Sequence, residues 1–185
     1  MSTATLTLID RVVPRTRLND VVLVLAGAAL TAIAAQIQIP MLPVPMTLQT
    51  FAVLLVGATL GAGRGALSMG SYLAMGAAGL PVFAAAKTLT GVMPTVGYLV
   101  GFVAAAAIIG ALANRGWTKN PLKLTAAFAL GSVVIYSLGV VGLMATLGLT
   151  LSQALAGGVA PFVFGDVVKA IAAAALLPAA WKLIK

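Results

Sequence analysis

A carboxylate and an amine stand three residues apart inside one of the most apolar stretches of this sequence. Asp166 and Lys169 both lie between Pro161 and Pro178, and every other residue of that stretch is nonpolar. At this spacing the two side chains share one face of a helix. A charge at the centre of a membrane-spanning helix costs roughly 2.5–3.5 kcal/mol, so intramembrane charges are functional-site hypotheses by default. The pair can either neutralise itself and fasten the helix, or bind a substrate, with Lys169 facing a carboxylate and Asp166 orienting the ammonium or accepting from a substrate N–H.

The composition is that of a membrane protein with several spans. Of 185 residues, 62% are hydrophobic and 8% are charged, a balance that soluble globular domains do not have. Histidine and cysteine are absent, which excludes disulfides, His or Cys catalysis and His or Cys metal sites. The three acidic residues argue against a carboxylate metal cage. We therefore expect no catalytic residues, no metal and no resident cofactor.

The net charge of +8 does not indicate a nucleic-acid partner. The basic residues are dispersed between apolar runs, whereas a nucleic-acid-binding face needs clustered ones. Dispersed basic residues more often set the orientation of a protein in a lipid bilayer. We therefore expect the bilayer as a partner and no nucleic acid.

Six apolar segments follow one another between connections rich in Pro, Gly and polar residues. We predict an all-α integral membrane protein, in which residues 1–19 form a cytoplasmic N-terminal segment and residues 20–185 a six-transmembrane-helix bundle. Thr150 and Gln153 have the spacing of a capping box, which predicts a short surface helix before the last span. The spans are predicted at about 20–39, 46–62, 65–79, 96–113, 123–148 and 161–182.

The connections alternate in charge. Because positively charged connections stay in the cytoplasm, both termini are predicted to be cytoplasmic. On this orientation Asp166 lies about 7–8 Å below the outer end of the last span, at 1.5 Å per residue, so the site opens outward. The opposite connections carry only Lys87. One side carries nine basic residues: Arg11, Arg15, Arg17, Arg64, Arg115, Lys119, Lys123, Lys182 and Lys185.

Further polar groups are expected at the depth of Asp166. Thr47, Gln49 and Thr50 follow a Pro-rich connection at the outer end of the second span. Their hydroxyl and amide groups can bind a polar head group such as a ureido ring, or Thr47 can instead cap the second helix. Either role places these residues beside the pair.

Two other segments have alternative interpretations. The connection 80–95, with Lys87, is either a lid over the site that attracts an anion or an ordinary external loop. The first span carries small residues at four-residue spacing, including Ala28 and Ala32. Such a face either packs inside the bundle or docks another membrane subunit.

Four motifs, in order along the chain, resemble the BioY family. The resemblance extends from about residue 20 to residue 182. BioY proteins are the biotin-specific substrate-binding (S) components of energy-coupling factor transporters. One loop motif departs from the family pattern, with Met93-Pro-Thr-Val-Gly-Tyr98 where the family usually has Gly-Pro-Thr-Gly-Gly-Tyr. The matching segments are 44–57, 79–83, 94–102 and 164–169.

The resemblance implies a function, partners and a location. It implies biotin binding near the outer face of a six-helix bundle in a bacterial or archaeal cell membrane. The chain would then be a transporter subunit and no enzyme, and its partners a transmembrane (T) subunit and two cytoplasmic ATPases that use ATP. Alternatives are an S component for another small anionic vitamin or a biotin precursor, an intramembrane enzyme, and a structural membrane subunit without a ligand.

The resemblance also assigns residues. The family's biotin-site Asp and Lys match Asp166 and Lys169, and its loop between the third and fourth helices covers the ligand. Its small-residue face on the first helix contacts the T subunit, which here implies Ala28 and Ala32. The expected substrate-binding residues are therefore Asp166, Lys169, Gln49, Thr47, Tyr98 and Lys87.

Overall fold

The computed structural model describes residues 7–91 and 93–184 of the chain. Residues 1–6 of the N-terminal segment, Val92 of the 80–95 connection and Lys185 of the basic side lie outside the described residues. The described part is almost entirely helical. Its α-helices are α1 (Arg17–Gln36), α2 (Gln49–Leu60), α3 (Ala62–Ala77), α4 (Val96–Ala113), α5 (Pro121–Leu147), α6 (Leu151–Gly158) and α7 (Ala160–Leu183).

Each predicted span overlaps one α-helix. The predicted end of the first span and the predicted start of the second differ from the observed helix boundaries for the same reason. The strands β1 (Gln38–Ile39) and β2 (Met46–Thr47) pair antiparallel. These strand residues were predicted to be helical, at the end of the first span and at the start of the second. α1 therefore ends at Gln36 and α2 begins at Gln49.

Four of these helices, α1, α4, α5 and α7, are long and apolar enough to cross a membrane. α2 has 12 residues and α3 has 16, or about 18 and 24 Å, against a hydrocarbon core of about 30 Å. The structure therefore supports a multi-pass membrane protein. Six full crossings and cytoplasmic termini stay predictions.

The predicted capping box before the last long helix is present. The Thr150 hydroxyl accepts from the backbone N–H of Gln153, and the Gln153 side chain accepts from the backbone N–H of Thr150. These two bonds satisfy N–H groups that have no partner within α6. α6 is thus a separate short helix that leads into α7.

α4 lies at the centre of the bundle and α7 at its edge. In the most apolar 18-residue stretch of α4, 50% of the residues are buried, compared with 17% in the corresponding stretch of α7. α4 and α5 cross so closely that a Cβ on Gly97 would stand 2.2 Å from the carbonyl oxygen of Leu138. α7 buries only Phe162, Ala173 and Leu177, so polar contacts matter more for its attachment.

The N-terminal segment packs on the turn between α2 and α3. The Asp10 side chain is buried there and accepts hydrogen bonds from Thr7, Arg15 and Arg64. Burial by itself would raise the pKa of Asp10, but these hydrogen bonds hold it well below its ordinary value. The carboxylate therefore stays charged and joins the segment to α3.

Candidate functional site

A cavity bordered by α2, α4, α5, α7 and the 80–95 connection contains most of the predicted site residues. Thr47, Gln49, Tyr98, Asp166 and Lys169 all line it. It holds about 550 Å³ of space free of protein atoms, part of which is open to solvent. The walls between these polar groups are apolar, and they include Leu99, Phe102 and Phe162. A cavity of this kind is typical of small-molecule sites.

Lys169 is held by three acceptors from two helices and a strand. Its Nζ lies 3.0 Å from Asp166 Oδ1, 2.7 Å from Thr50 Oγ1 and 3.0 Å from the Thr47 carbonyl oxygen. Only 14% of the Lys169 side chain and 11% of the Asp166 side chain is exposed. The ammonium has three N–H donors, so each has an acceptor in this arrangement.

Asp166 accepts hydrogen bonds at both carboxylate oxygens. Besides Lys169, Thr50 donates to Oδ1 at 3.2 Å, while Ser132 and Tyr136 of α5 donate to Oδ2 at 3.0 and 2.7 Å. Four donors thus surround one carboxylate, and hydrogen bonds to a charged group are among the stronger ones. The pair thus connects α7 to both α2 and α5.

The sequence reasoning missed Ser132 and Tyr136, although a signal was present. The two residues are four apart in a mostly apolar helix, so their side chains share one face. Polar residues at that spacing in a predicted span indicate a polar target on a neighbouring helix. Charge gives no signal there, because Lys123 is the one charged residue of α5.

Thr47 and Gln49 form a second hydrogen-bonded group at the start of α2. The Thr47 hydroxyl donates to Gln49 Oε1 at 2.9 Å and accepts from the Gln49 backbone N–H at 3.2 Å. Gln49 Nε2 donates to the Tyr72 hydroxyl at 2.6 Å, which in turn donates to the Val82 carbonyl at 3.1 Å. Leu48, and not Thr47, is the N-cap residue of α2, and no side chain caps this end of the helix, so the capping alternative for Thr47 is wrong. Thr47 lines the cavity, and its contact with a ligand stays a prediction.

The 80–95 connection covers part of the cavity. Phe83 and Ala84 line the cavity wall, and the Phe83 ring packs edge-on against Tyr72 at 5.2 Å between centroids. Gln36 fastens this segment to α1, because its Nε2 donates to the Phe83 carbonyl and its Oε1 accepts from the Ala86 N–H, both at 3.2 Å. Such a position agrees with a lid, while motion of the connection stays a prediction.

Lys87 and Tyr98 occupy different positions from the pair. Lys87 is exposed and lines a neighbouring outer cavity, which holds about 1050 Å³ of space free of protein atoms. The two cavities share Pro45, Phe83, Ala84 and Thr95. The Tyr98 hydroxyl donates to the Gly158 carbonyl at 2.7 Å. Its hydrogen-bonding group is thus occupied by the end of α6, and the ring is what it offers to the cavity.

The sequence of the whole chain was compared with known families. The sequence model of the BioY family matches residues 5–185. The chain belongs to the BioY family. The resemblance inferred from four short motifs is thereby confirmed over nearly the full length.

Individual BioY relatives agree with this assignment. The chain is 40% identical over 150 residues to the biotin transporter BioY of Thermotoga maritima, covering 79% of this chain and 86% of the relative. It is 35% identical over 173 residues to the probable biotin transporter BioY of Lysinibacillus sphaericus, covering 90% and 88%. A crystal structure of the S component for biotin from an ECF-type ABC transporter matches with a TM-score of 0.78 and 23% identity, covering 91% of this chain and 95% of that one. This structural match shows a shared fold.

For this BioY-family chain, the residues expected to contact a T subunit have different exposures. Ala28 is fully buried, because α1 turns Gly27, Ala28 and Thr31 toward α3. Its burial disagrees with the expectation that Ala28 docks a partner, since the side chain has no exposed surface. Ala32 is half-buried, and its contact with a partner stays a prediction.

Proposed function

We propose that this chain binds biotin and acts as the substrate-binding S component of an ATP-driven energy-coupling factor transporter. The observation that carries the proposal is the mostly buried Asp166–Lys169 pair in the cavity of a BioY-family chain. Membership in the family favours biotin as the ligand, and the cavity supplies matching chemistry.

The hydrogen-bonding pattern favours the ureido ring of biotin at the Asp166–Lys169 pair. The pair is neutral as a whole, and the described side chains that line the inner cavity include no other charged group. A ureido ring has N–H donors and a carbonyl acceptor, which suit a carboxylate and an ammonium side by side. A ligand carboxylate would meet no net positive charge there, so we propose the ureido ring beside Lys169 in place of the carboxylate expected from the sequence.

The outer cavity suits the other end of the ligand. Among the described residues that line this cavity, Lys87 is the only charged one. Biotin carries its carboxylate on a flexible chain that points away from the ring. We therefore place the ring beside Asp166 and Lys169, the carboxylate toward Lys87, and the 80–95 connection over both.

The proposal extends to orientation and partners. The ligand site faces outward, both termini are cytoplasmic, and the chain lies in the cell membrane of a bacterium or archaeon. One T subunit and two cytoplasmic ATPases supply the energy for uptake. The chain itself contributes binding and no ATP hydrolysis.

Calorimetric titration of the purified chain in detergent, without partner subunits, tests binding. Biotin is expected to bind, and Lys169→Ala is expected to weaken binding about 10- to 100-fold, because a hydrogen bond to a charged group contributes about 1.5–3 kcal/mol. Lys123→Ala, which removes an exposed lysine outside the cavity, is the control. Melting temperatures check that both variants fold.

The outcomes separate the alternatives. Equal biotin binding by Lys169→Ala and the unaltered chain would remove the pair from the site. Thermal stabilisation by another vitamin or a biotin precursor, and not by biotin, would reassign the ligand, since a ligand that binds only the folded state raises its melting temperature. Stabilisation by no compound would favour a structural subunit.

A further inference from the structure

Another cavity lies near the end of α7 that is remote from the proposed biotin site. Trp181 is twelve positions beyond Lys169, or about 18 Å along the helix. The cavity holds about 670 Å³ of space free of protein atoms, part of which is open to solvent. Its lining combines residues from three parts of the chain: Arg11, Lys119, Pro178, Trp181, Lys182 and Ile184.

The three cations of this cavity have no carboxylate partner in the described chain. The sequence holds three acidic residues, and each already pairs with another base. Asp10 binds Arg15 and Arg64, Asp20 binds Arg64, and Asp166 binds Lys169. Arg11, Lys119 and Lys182 therefore present a positive field that a bound anion would neutralise.

Trp181 fixes the geometry of this cavity. Its Nε1 donates to Thr118 Oγ1 at 3.0 Å, and Thr118 is only 2% exposed. The Lys119 ammonium lies 4.6 Å from the centre of the indole ring, a cation–π contact. The indole ring thus holds the Lys119 ammonium at the edge of the cavity.

The surroundings of the cavity favour a lipid as the source of the anion. α7 is long and apolar enough to cross a membrane, and the cavity adjoins its last turn. Leu176 and Leu183 of this helix are 60% and 86% exposed, as expected where acyl chains cover them. Tryptophan is enriched at membrane interfaces, and basic pockets between membrane helices bind anionic head groups. A soluble acidic protein would not account for the apolar half of this surface.

We propose that Arg11, Lys119, Trp181 and Lys182 form a binding site for the phosphate of an anionic phospholipid. The three cations donate to the phosphate oxygens, and the indole ring, Pro178 and Ile184 contact the glycerol region and the first carbons of the acyl chains. The site adds an attachment of α7 to the N-terminal segment and to the α4–α5 connection. It does not depend on biotin binding.

Tryptophan fluorescence in lipid vesicles tests the site. The chain has two tryptophans, so Trp117→Phe leaves Trp181 as the reporter. Brominated phosphatidylglycerol or brominated phosphatidylcholine, added at low mole fraction to unlabelled phosphatidylcholine, quenches an indole that it contacts. We expect half-maximal quenching at a mole fraction at least about tenfold lower for phosphatidylglycerol, since each basic residue near an anionic surface adds attraction that salt screens.

A matched pair of triple variants separates the site from general attraction. Arg11→Gln, Lys119→Gln and Lys182→Gln together are expected to abolish the preference for phosphatidylglycerol. Arg17→Gln, Arg115→Gln and Lys123→Gln together remove the same amount of charge outside the cavity. This second triple variant is expected to keep the preference for phosphatidylglycerol. Equal quenching by the two lipids in the reporter chain, or equal loss in both triple variants, would overturn the proposal.

Two further arms complete the test. Displacement of phosphatidylglycerol by millimolar inorganic phosphate or by a polyglutamate peptide would identify a site for soluble anions and overturn the lipid assignment. If Trp117→Phe or a triple variant does not fold, native mass spectrometry of the unaltered chain with either lipid replaces the quenching. Retention of phosphatidylglycerol without preference over phosphatidylcholine would then refute the site.

Discussion

At the scale of single residues, the Asp166–Lys169 pair is saturated with hydrogen bonds. Three acceptors surround the ammonium, and four donors surround the carboxylate. Such partners offset the cost of keeping two charges in an apolar bundle. A ligand that reaches the pair must exchange with some of these partners. Binding strength therefore depends on the neutral residues around the pair as well as on the charges.

Ser132→Ala is expected to weaken biotin binding about tenfold or more. The substitution removes one donor from Asp166 Oδ2, and a hydrogen bond to a charged group contributes about 1.5–3 kcal/mol. Ser137→Ala is the matched control, because Ser137 donates to the Val133 carbonyl of its own helix and is exposed. Calorimetric titration measures both. Similar affinities for the two variants would show that the Asp166 carboxylate does not need Ser132.

The placement of the ligand carboxylate predicts a difference between biotin and its neutral amide. The unaltered chain is expected to bind biotin more tightly than the amide, and Lys87→Gln is expected to remove the difference. Lys169→Gln is expected to weaken the binding of both ligands and to leave the difference between them unchanged, because Lys87 and Lys169 contact different parts of the ligand in this placement. Titration of each variant with each ligand measures the coupling. A difference that disappears in Lys169→Gln instead would return the carboxylate to the inner cavity.

At the scale of helices, the site residues Asp166 and Lys169 lie on α7, a helix at the edge of the bundle. α4 is packed on several sides, while α7 has few buried side chains. The hydrogen bonds of Asp166 and Lys169 to α2 and α5 therefore form a large part of the attachment of α7 near the cavity. A ligand that replaces some of these bonds alters how α7 is held.

Gly97→Ala is expected to lower the melting temperature. The new Cβ would stand 2.2 Å from the Leu138 carbonyl and 2.9 Å from Gly142 Cα, so α4 and α5 would have to separate. Overpacking of this kind costs about 1–3 kcal/mol. Gly70→Ala in α3 is the control, because nothing lies within 4 Å of its Cβ position and alanine favours a helix by up to about 1 kcal/mol. Thermal unfolding in detergent compares them, and equal melting temperatures would mean that the crossing tolerates a methyl group.

At the scale of the whole molecule, the two ends differ in charge and in chemistry. The end with the basic connections holds Asp10, Arg64 and the proposed lipid site. The other end holds the cavity, the covering connection and Lys87. This asymmetry predicts a single orientation in the membrane, with the basic end in the cytoplasm.

Labelling of single cysteines tests this orientation, and the chain has no native cysteine to interfere. Lys87→Cys and Lys123→Cys both place the thiol at an exposed position in or beside a connection. A membrane-impermeant maleimide is expected to label Lys87→Cys in intact spheroplasts. It is expected to label Lys123→Cys only after permeabilisation. The reverse labelling pattern would indicate the opposite orientation, in which the proposed biotin cavity faces the cytoplasm.

Local features of the sequence determined the helices and the charged pair. The apolar runs, the Pro and Gly breaks and the Thr150–Gln153 capping box act over a few residues, so each could be read without the fold. The same holds for Asp166 and Lys169, whose spacing within one helix puts them together. The boundaries at Gln36 and Gln49 were missed because β1 and β2 pair across a Pro-rich connection.

Only the tertiary structure decided what surrounds that pair. Ser132 and Tyr136 lie more than 30 positions from Lys169 along the chain, and Thr50 more than 100, yet all three join the same hydrogen-bond network. Small residues occupy several faces of α1, so the sequence could not tell that Ala28 points inward. Helix rotation and long-range contacts depend on how all the helices pack together, because the free energy of packing belongs to pairs of surfaces and not to either sequence segment alone.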